Sequence, residues 1–418
     1  MNTERSAVSV SNGDHYRWMI LGLLTTAQLV MSLGAYSWGP MAPFLRDAFG
    51  ISRTQIGTIV SSLYLFSVII ALPSGIAVDR LGSRIMLIIA LAIMGGSFIL
   101  LSAANYFSII IILAGISGIG YGMINQISTK AIMIWFRSTT RATVMGIKQT
   151  GVTLGGALGA VLLPALSIAY GWRVAMITTG ALMLIIAIAS CVYYREQPVT
   201  APAANSTNAP SPPSNWRKDF SDLWSKRSIR LLCFVSMLLA SSQTCIASFL
   251  VLYLEEDLNL SIAMSGICLS LFMMAGTAGR IIWGIISDRI FGGDRQKPII
   301  ILSVIACATA LCVAFFSPSS PLFLIFLCCI LLGFTFMGWN AVYLTLGAEI
   351  AGPKLAGAVT GITITVCWTG IILGPPIFGI ISDTVGYFWG WIMLSLFGCI
   401  SAISFARFSK VTVQNMAE

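Results

Sequence analysis

Gly75-Ile-Ala-Val-Asp79-Arg80-Leu-Gly-Ser-Arg84 and Gly284-Ile-Ile-Ser-Asp288-Arg289-Ile-Phe-Gly-Gly-Asp-Arg295 carry one pattern twice, Gly-x-x-x-Asp-Arg with a further Arg within six residues, 209 residues apart. Each copy closes a long apolar run, 56–78 and 262–287. A helix that crosses a bilayer needs about 20 apolar residues, so each copy sits where a spanning helix meets water. Outward from these two, charge clusters delimit ten more runs: 18–44, 85–103, 107–134, 142–168, 174–194, 229–254, 298–316, 321–348, 357–382 and 387–407. Transmembrane β-strands alternate over about ten residues, and runs this long and uninterrupted exclude a barrel. The expected fold is an all-α membrane protein with twelve transmembrane helices.

Composition agrees with this reading. Hydrophobic residues make up 57% of the chain and charged residues 9%, whereas a soluble domain carries about 25% charged residues to cover its surface in water. An ordinary soluble enzyme, a disordered chain and a disulfide-stapled secreted domain are excluded. The ten cysteines all fall in apolar runs without a Cys-x-x-Cys pair, so they read as packing residues and not as metal or redox ligands. The one histidine, His15, lies in a polar N-terminal stretch, so no imidazole can relay protons within the spans. The first apolar run has no small-residue cleavage pattern and reads as a span, not a signal peptide.

Lys and Arg set the expected orientation. Eighteen fall in segments on the side of the N-terminus, and the opposite segments hold only Arg46, Arg53 and Arg173. The positive-inside rule therefore puts both termini in the cytoplasm, in what is expected to be a bacterial inner membrane. The net charge of +9 is then topology, and no nucleic-acid partner is implied. Five segments follow: a cytoplasmic tail (1–17), a six-helix bundle (18–194), a linker rich in Pro, Ala, Ser and Asn (195–228), a second six-helix bundle (229–408) and a cytoplasmic tail (409–418). The end of the linker sets Trp216, Phe220, Leu223 and Trp224 at helical spacing among basic residues, as a helix on the membrane surface would. Further repeats support two related bundles. Ala142-Thr-Val-Met-Gly146 matches Gly357-Ala-Val-Thr-Gly361, and Tyr170-Gly171 matches Val385-Gly386, both 215 residues apart.

The doubled motif resembles the loop signature of the major facilitator superfamily, and the resemblance extends over the whole chain through the twelve spans. It implies two pseudo-symmetric six-helix bundles and a cytoplasmic gate that latches when the binding site faces outward. By that analogy Gly75, Asp79, Arg80, Arg84, Gly284, Asp288, Arg289 and Arg295 are gate residues, with Glu349 a partner of the second cluster. Glycine at such a site is expected to let two helices approach. Span eleven, with Gly370-x-x-x-Gly374-Pro375-Pro376-x-x-Gly379, is similar to a pattern associated in this superfamily with the fifth span of antiporters. Here span five has Gly151, Gly155 and Gly159 without the prolines, which leaves symport and antiport both open. The Arg common in proton-coupled relatives upstream of Gly118-x-Gly120-x-Gly122 is Ala114.

An ionisable group inside the membrane costs several kcal/mol unless paired or hydrated, so each is a functional candidate. All fifteen acids lie in tails, in loops or at span ends, whereas three cations lie within spans: Arg280, Lys148 and Lys130. Arg280 shares a helical face with Gly276, Thr277 and Gly284, and Lys148 with Gly151, Gly155 and Gly159; such small-residue faces meet other helices. Lys130 continues the row Gly118, Gly122 and Gln126, with snorkelling to the headgroups as the alternative. Cations within the spans, where no carboxylate lies, suggest that the negative charge arrives with the substrate, and guanidinium suits a carboxylate through its planar fork. The segment around Arg280 and Trp283 also resembles span eight of oxalate/formate-type and monocarboxylate-type carriers, where this Arg meets the substrate anion. In this chain the Asp found one turn upstream in some of them is Gly276, and no Lys lies in span eleven, so Lys148 on span five stands as a pseudo-symmetric replacement.

The superfamily resemblance makes spans one, four, seven and ten the cavity liners, and their polar and aromatic residues include Tyr36, Tyr121, Asn125, Gln243 and Asn340. The expected function is a secondary active transporter of a small organic anion, a carboxylate, by alternating access. A drug or neutral-solute carrier of the same fold is the alternative, and a transporter-like sensor a more distant one. No catalytic set, metal site or cofactor is expected, and the chain is not read as an enzyme. The expected partners are the anionic substrate, the lipid bilayer and a coupling proton or counter-anion, with the monomer as the working unit.

Overall fold

The structure is a computed structural model that describes residues 3–137, 140–196, 227–351 and 356–415. The interfacial-helix residues Trp216, Phe220, Leu223 and Trp224 lie outside these ranges. Among the described residues every regular element is a helix. The first half forms α1 (Thr3–Ala35), α2 (Trp38–Phe49), α3 (Arg53–Leu81), α4 (Ser83–Leu101), α5 (Phe107–Trp135), α6 (Arg141–Tyr170) and α7 (Trp172–Tyr193). The second forms α8 (Arg227–Glu256), α9 (Ile262–Ile285) with a π turn over Ile286–Ile290, α10 (Gln296–Ala314), α11 (Leu322–Phe336), α12 (Trp339–Ala351), α13 (Ala356–Val385) and α14 (Tyr387–Asn415).

Among the described residues eleven helical stretches are long and apolar enough to cross a bilayer, and the shorter apolar helix Leu322–Phe336 supplies a twelfth. Two expected spans are broken. The run 18–44 turns at Tyr36–Ser37, between α1 and α2, and 321–348 turns at Met337–Gly338, between α11 and α12. Hydropathy continues through both breaks, so no apolar pattern marks them. Conversely, α1 and α14 run past their apolar stretches to Thr3 and Asn415, because extending a nucleated helix adds a hydrogen bond with each residue. Single left-handed glycines separate α6 from α7 (Gly171, φ 87°) and α13 from α14 (Gly386, φ 91°), a backbone that side chains with Cβ rarely adopt.

The chain forms two compact units, Met1–Ser37 with Ser62–Ala201, and Trp38–Ser61 with Pro202–Glu418. The first is therefore discontinuous in sequence, and α2 with the first turns of α3 belongs to the second. Within the first unit α1 packs along α6, and α4 lies between α5 and α7. Within the second, α8 packs along α13, α10 along α14 and α9 along α11. The repeat is visible in atomic detail. A Cβ at Gly118 would fall onto the Leu63 carbonyl, and one at Gly333 onto the Phe272 carbonyl, and both members of each pair keep the 209- and 215-residue offsets of the sequence repeats. Close backbone approach at small residues is how membrane helices gain packing energy without a hydrophobic driving force. These approaches, and not the motif glycines, carry the helix contacts. A Cβ at Gly75 would meet only the side chain of Gln126, at 3.9 Å, and one at Gly284 would meet nothing within 4 Å.

Candidate functional site

In the first unit, Lys148 of α6 is fully buried. Its Nζ donates to Asn125 Oδ1 at 3.0 Å and to Gln149 Oε1 at 3.3 Å. Both acceptors are neutral, and among the described residues Lys148 forms no ion pair. Tyr121, one turn before Asn125 on α5, stands edge-on to Tyr64 with ring centroids 6.2 Å apart, and Tyr36 lies within hydrogen-bond reach of Tyr64. A cavity of about 480 Å³ opens beside this group, lined by Asn125, Gln126, Thr129 and Lys130 of α5 and by Gly75, Val78 and Asp79 of α3. Lys130 donates to the Val78 carbonyl at 2.6 Å and lies 3.4 Å from Asp79 Oδ1. Its position at the C-terminal end of α3 complements the partial negative charge of that helix end.

In the second unit, Arg280 of α9 donates through Nε to the Met337 carbonyl at 3.2 Å, and Trp283 Nε1 donates to the Phe334 carbonyl at 3.0 Å. The break between α11 and α12 takes the Met337 carbonyl out of the helix and presents it to Arg280. Glycine is required on both sides of this contact. A Cβ at Gly338 would strike the Phe334 carbonyl and the Trp283 ring, and one at Gly276 would lie 2.6 Å from Met337 Cβ. Nearby on α8 and α12, Asn340 Nδ2 donates to Gln243 Oε1 at 3.4 Å. The seven expected substrate residues thus form two groups, Lys148, Asn125, Tyr121 and Tyr36 in one unit and Arg280, Gln243 and Asn340 in the other.

The motif ends differ between the units. In the second, Arg295 Nη1 bonds Asp288 and, at 3.0 Å, Ser287 Oγ, while its Nε lies 3.1 Å from Glu349 Oε1. Its hydrogen bond to Asp288, together with Glu349, raises the guanidinium pKa above the usual arginine value, so it stays charged at any ordinary pH. In the first unit, Arg84 Nη2 bonds the Cys191 carbonyl, and Glu196 accepts from the backbone N–H groups of Ser83 and Arg84, both at 2.9 Å, at the start of α4. Asp79 pairs with Lys130 there, and not with a motif arginine. Arg80 and Arg289 are exposed.

A further cluster lies at the opposite end of α3, about 40 Å along the helix from the motif. Arg53 grips Glu256 through Nε (2.9 Å) and Nη2 (2.7 Å), donates to the Ser382 carbonyl (2.6 Å) and covers the Tyr387 ring at 4.3 Å. Arg46 also pairs with Glu256, and the Tyr387 hydroxyl donates to it at 3.0 Å. Asp383 of α13 accepts from the N–H groups of Arg53 (3.1 Å) and Thr54 (2.8 Å) and from Thr54 Oγ1 (2.7 Å), which caps the N-terminus of α3 from another helix. Deeper along α3, Ser61 Oγ donates to the Ile372 carbonyl. That carbonyl is available because Pro376, four residues on, has no N–H to return to it. The glycine-proline step of α13 is thus a docking ledge for α3; a Cβ at Gly57 would strike the Pro375 carbonyl. Sequence reasoning missed this cluster, although a signal was present. Arg46 and Arg53 are two of only three cations expected on their side of the membrane.

The family model described as Major Facilitator Superfamily matches residues 24–375. The chain is 25% identical over 386 residues, 88% of each chain, to a Cupriavidus necator protein named "Probable sulfoacetate transporter SauU". It is 23% identical over 383 residues to the hexuronate transporter of Bacillus subtilis, covering 88% of this chain and 89% of that one. Its fold matches a bacterial homolog of the human lysosomal transporter Spinster with a TM-score of 0.81 at 16% identity, over 96% of this chain and 98% of that one.

Proposed function

The chain belongs to the Major Facilitator Superfamily, and from that premise we propose that it is a secondary active transporter that carries a small organic anion, a carboxylate, by alternating access. It is a multi-pass integral membrane protein and not an enzyme. The observation that carries the substrate class is the fully buried Lys148, whose ammonium meets two neutral amide oxygens and no carboxylate among the described residues. Burying a charge without its counter-charge is costly, and an anionic substrate would supply what the protein does not. Arg280, its Nε turned onto the Met337 carbonyl, is the corresponding cation of the other unit, and Tyr36, Tyr121, Asn125, Gln243 and Asn340 supply polar and aromatic walls. The relatives named for sulfoacetate and hexuronate transport support an organic acid.

Alternating access needs one closure at each end. The Arg295–Asp288–Glu349 cluster and the Arg84–Glu196 cluster are read as parts of the closure at the motif end, which the positive-inside reading of Lys and Arg puts on the cytoplasmic side. The Arg53–Glu256–Asp383 cluster is read as the closure at the other end. Uptake of a mono- and dicarboxylate panel into proteoliposomes, with and without a pH gradient, tests the reading. Lys148→Met is expected to lower kcat/KM for the transported anion by at least tenfold, the worth of one hydrogen bond to a charged group. Robust transport of neutral solutes, indifferent to Arg280→Ala and Lys148→Met, would reject an anion carrier.

A further inference from the structure

Lys130, the third cation within the spans, belongs to neither the Lys148 nor the Arg280 group, yet it faces the same cavity as Asn125. Asn125 and Thr129 form one i,i+4 pair along α5, and Gln126 and Lys130 the next; all four line the cavity. Lys148 reaches this wall through Asn125 Oδ1. One cation, Lys130, thereby lies in the cavity wall, and a second, the buried Lys148, stands behind the wall residue Asn125. Asn125 and Lys130 are five residues apart, about 7.5 Å of helix rise, a distance that a small molecule with two acidic groups a few bonds apart can bridge. Lys130 has three N–H donors. One is used on the Val78 carbonyl at 2.6 Å, and the contact with Asp79 is long, at 3.4 Å. Asp79 is also the exposed partner, with 78% of its side chain accessible, and exposed ion pairs of this kind are weak.

We propose that the cavity of the first unit takes a dianion, one acidic group meeting Lys148 and Asn125 and the second meeting Lys130 in place of Asp79. This inference rests on the anion-carrier reading and adds the charge number of the substrate. Lys130 is then the residue that sets selectivity. Asp79 is a resident stand-in for the second acidic group, and substrate arrival exchanges one carboxylate for another on the same ammonium. A monoanion occupies the inner position and leaves the Lys130–Asp79 pair intact. The exchange also has a consequence for the gate, because the motif carboxylate is released only when the second acidic group is present.

The test uses the full chain in lipid nanodiscs and three pairs of probes matched in carbon number: malonate with propionate, succinate with butyrate, and glutarate with valerate. Affinities are measured by calorimetry at a pH where all acids are ionised. Wild type is expected to favour at least one dianion over its partner by tenfold or more. In Lys130→Gln that ratio falls about tenfold, as the loss of one hydrogen bond to a charged group requires. Lys130→Arg keeps the ratio, and Asp79→Asn, which removes the competitor, widens it. A wild-type protein that binds the acids without regard to their charge number overturns the proposal, as does an unchanged ratio in Lys130→Gln. Failure to bind any of the six acids would instead sink the anion-carrier reading itself. Should Lys130→Gln not fold, the Asp79→Asn comparison decides, since a ratio that does not widen there is equally contrary.

Discussion

Arg280 and Lys148 are both cations in apolar helices, but they ask different things of an anion. The Nε–Met337 bond fixes the plane of the guanidinium, so Arg280 offers orientation as well as charge. Arg280→Lys keeps the charge and loses the plane. It is expected to raise KM about tenfold, measured by initial rates of uptake of the transported acid, with kcat changing less. Lys148 is a point charge held by amides and imposes less geometry. Both residues were legible in sequence because an ionisable residue within an apolar run is conspicuous. Lys130 was legible as a position but not as a contact, because the sequence does not say that the end of α3 and its Asp79 would come to meet it. The Asp383 cap on Thr54 was not legible at all. Its partners are 329 residues apart, and neither residue breaks a local pattern.

At the scale of helices, the spans were readable from apolar length and the breaks within them were not. The turns at Tyr36–Ser37 and Met337–Gly338 interrupt hydrogen bonding without interrupting hydropathy, and the second of them creates the acceptor for Arg280. Proline was visible at 375 and 376 but its purpose was not, because the freed Ile372 carbonyl acquires meaning only with Ser61 beside it. Ser61→Ala removes the donor and leaves that carbonyl without its partner, a cost of about 1–2 kcal/mol when buried. Asp383→Ala removes the cap of α3 at a cost of about 1 kcal/mol. In the proposed cycle Asp383→Ala shifts the protein about fivefold, and Ser61→Ala about five- to thirtyfold, toward the state open at that end. A reporter cysteine in α2 of a protein lacking native cysteines should then label faster with a membrane-impermeant reagent. Unaltered labelling in both variants would mean that this cluster is not a closure.

For the whole molecule, the doubled motif foretold two related halves, and the matched pairs Gly118–Leu63 and Gly333–Phe272 are its physical counterpart. What the repeat could not foretell is where the copies diverge: Arg295 gathers Asp288 and Glu349 in one half, whereas Lys130 takes the acid of the motif in the other. Nor could it foretell that Trp38–Ser61 would pack with the second unit, because that depends on the Arg46 and Arg53 contacts with Glu256. Two closures predict opposite responses. Glu256→Gln strips two arginines of their shared carboxylate and should favour opening at its own end, whereas Glu349→Gln should favour opening at the motif end. Spin-label distances across each end, measured by electron resonance, are expected to lengthen in one variant where they shorten in the other. Parallel changes would contradict the assignment of the two clusters to opposite phases of one cycle.

The Ser61–Ile372 contact also bears on hydration. Helix α13 cannot complete its own ladder at Pro376, so any state in which α3 withdraws leaves a carbonyl that only water can satisfy. Opening at that end should therefore begin by wetting a single peptide group some way inside the helix pair, before a continuous pore exists. An isotope label on the Ile372 carbonyl would shift its infrared amide band as that water arrives, which makes this one bond a spectroscopic clock for the first step of opening.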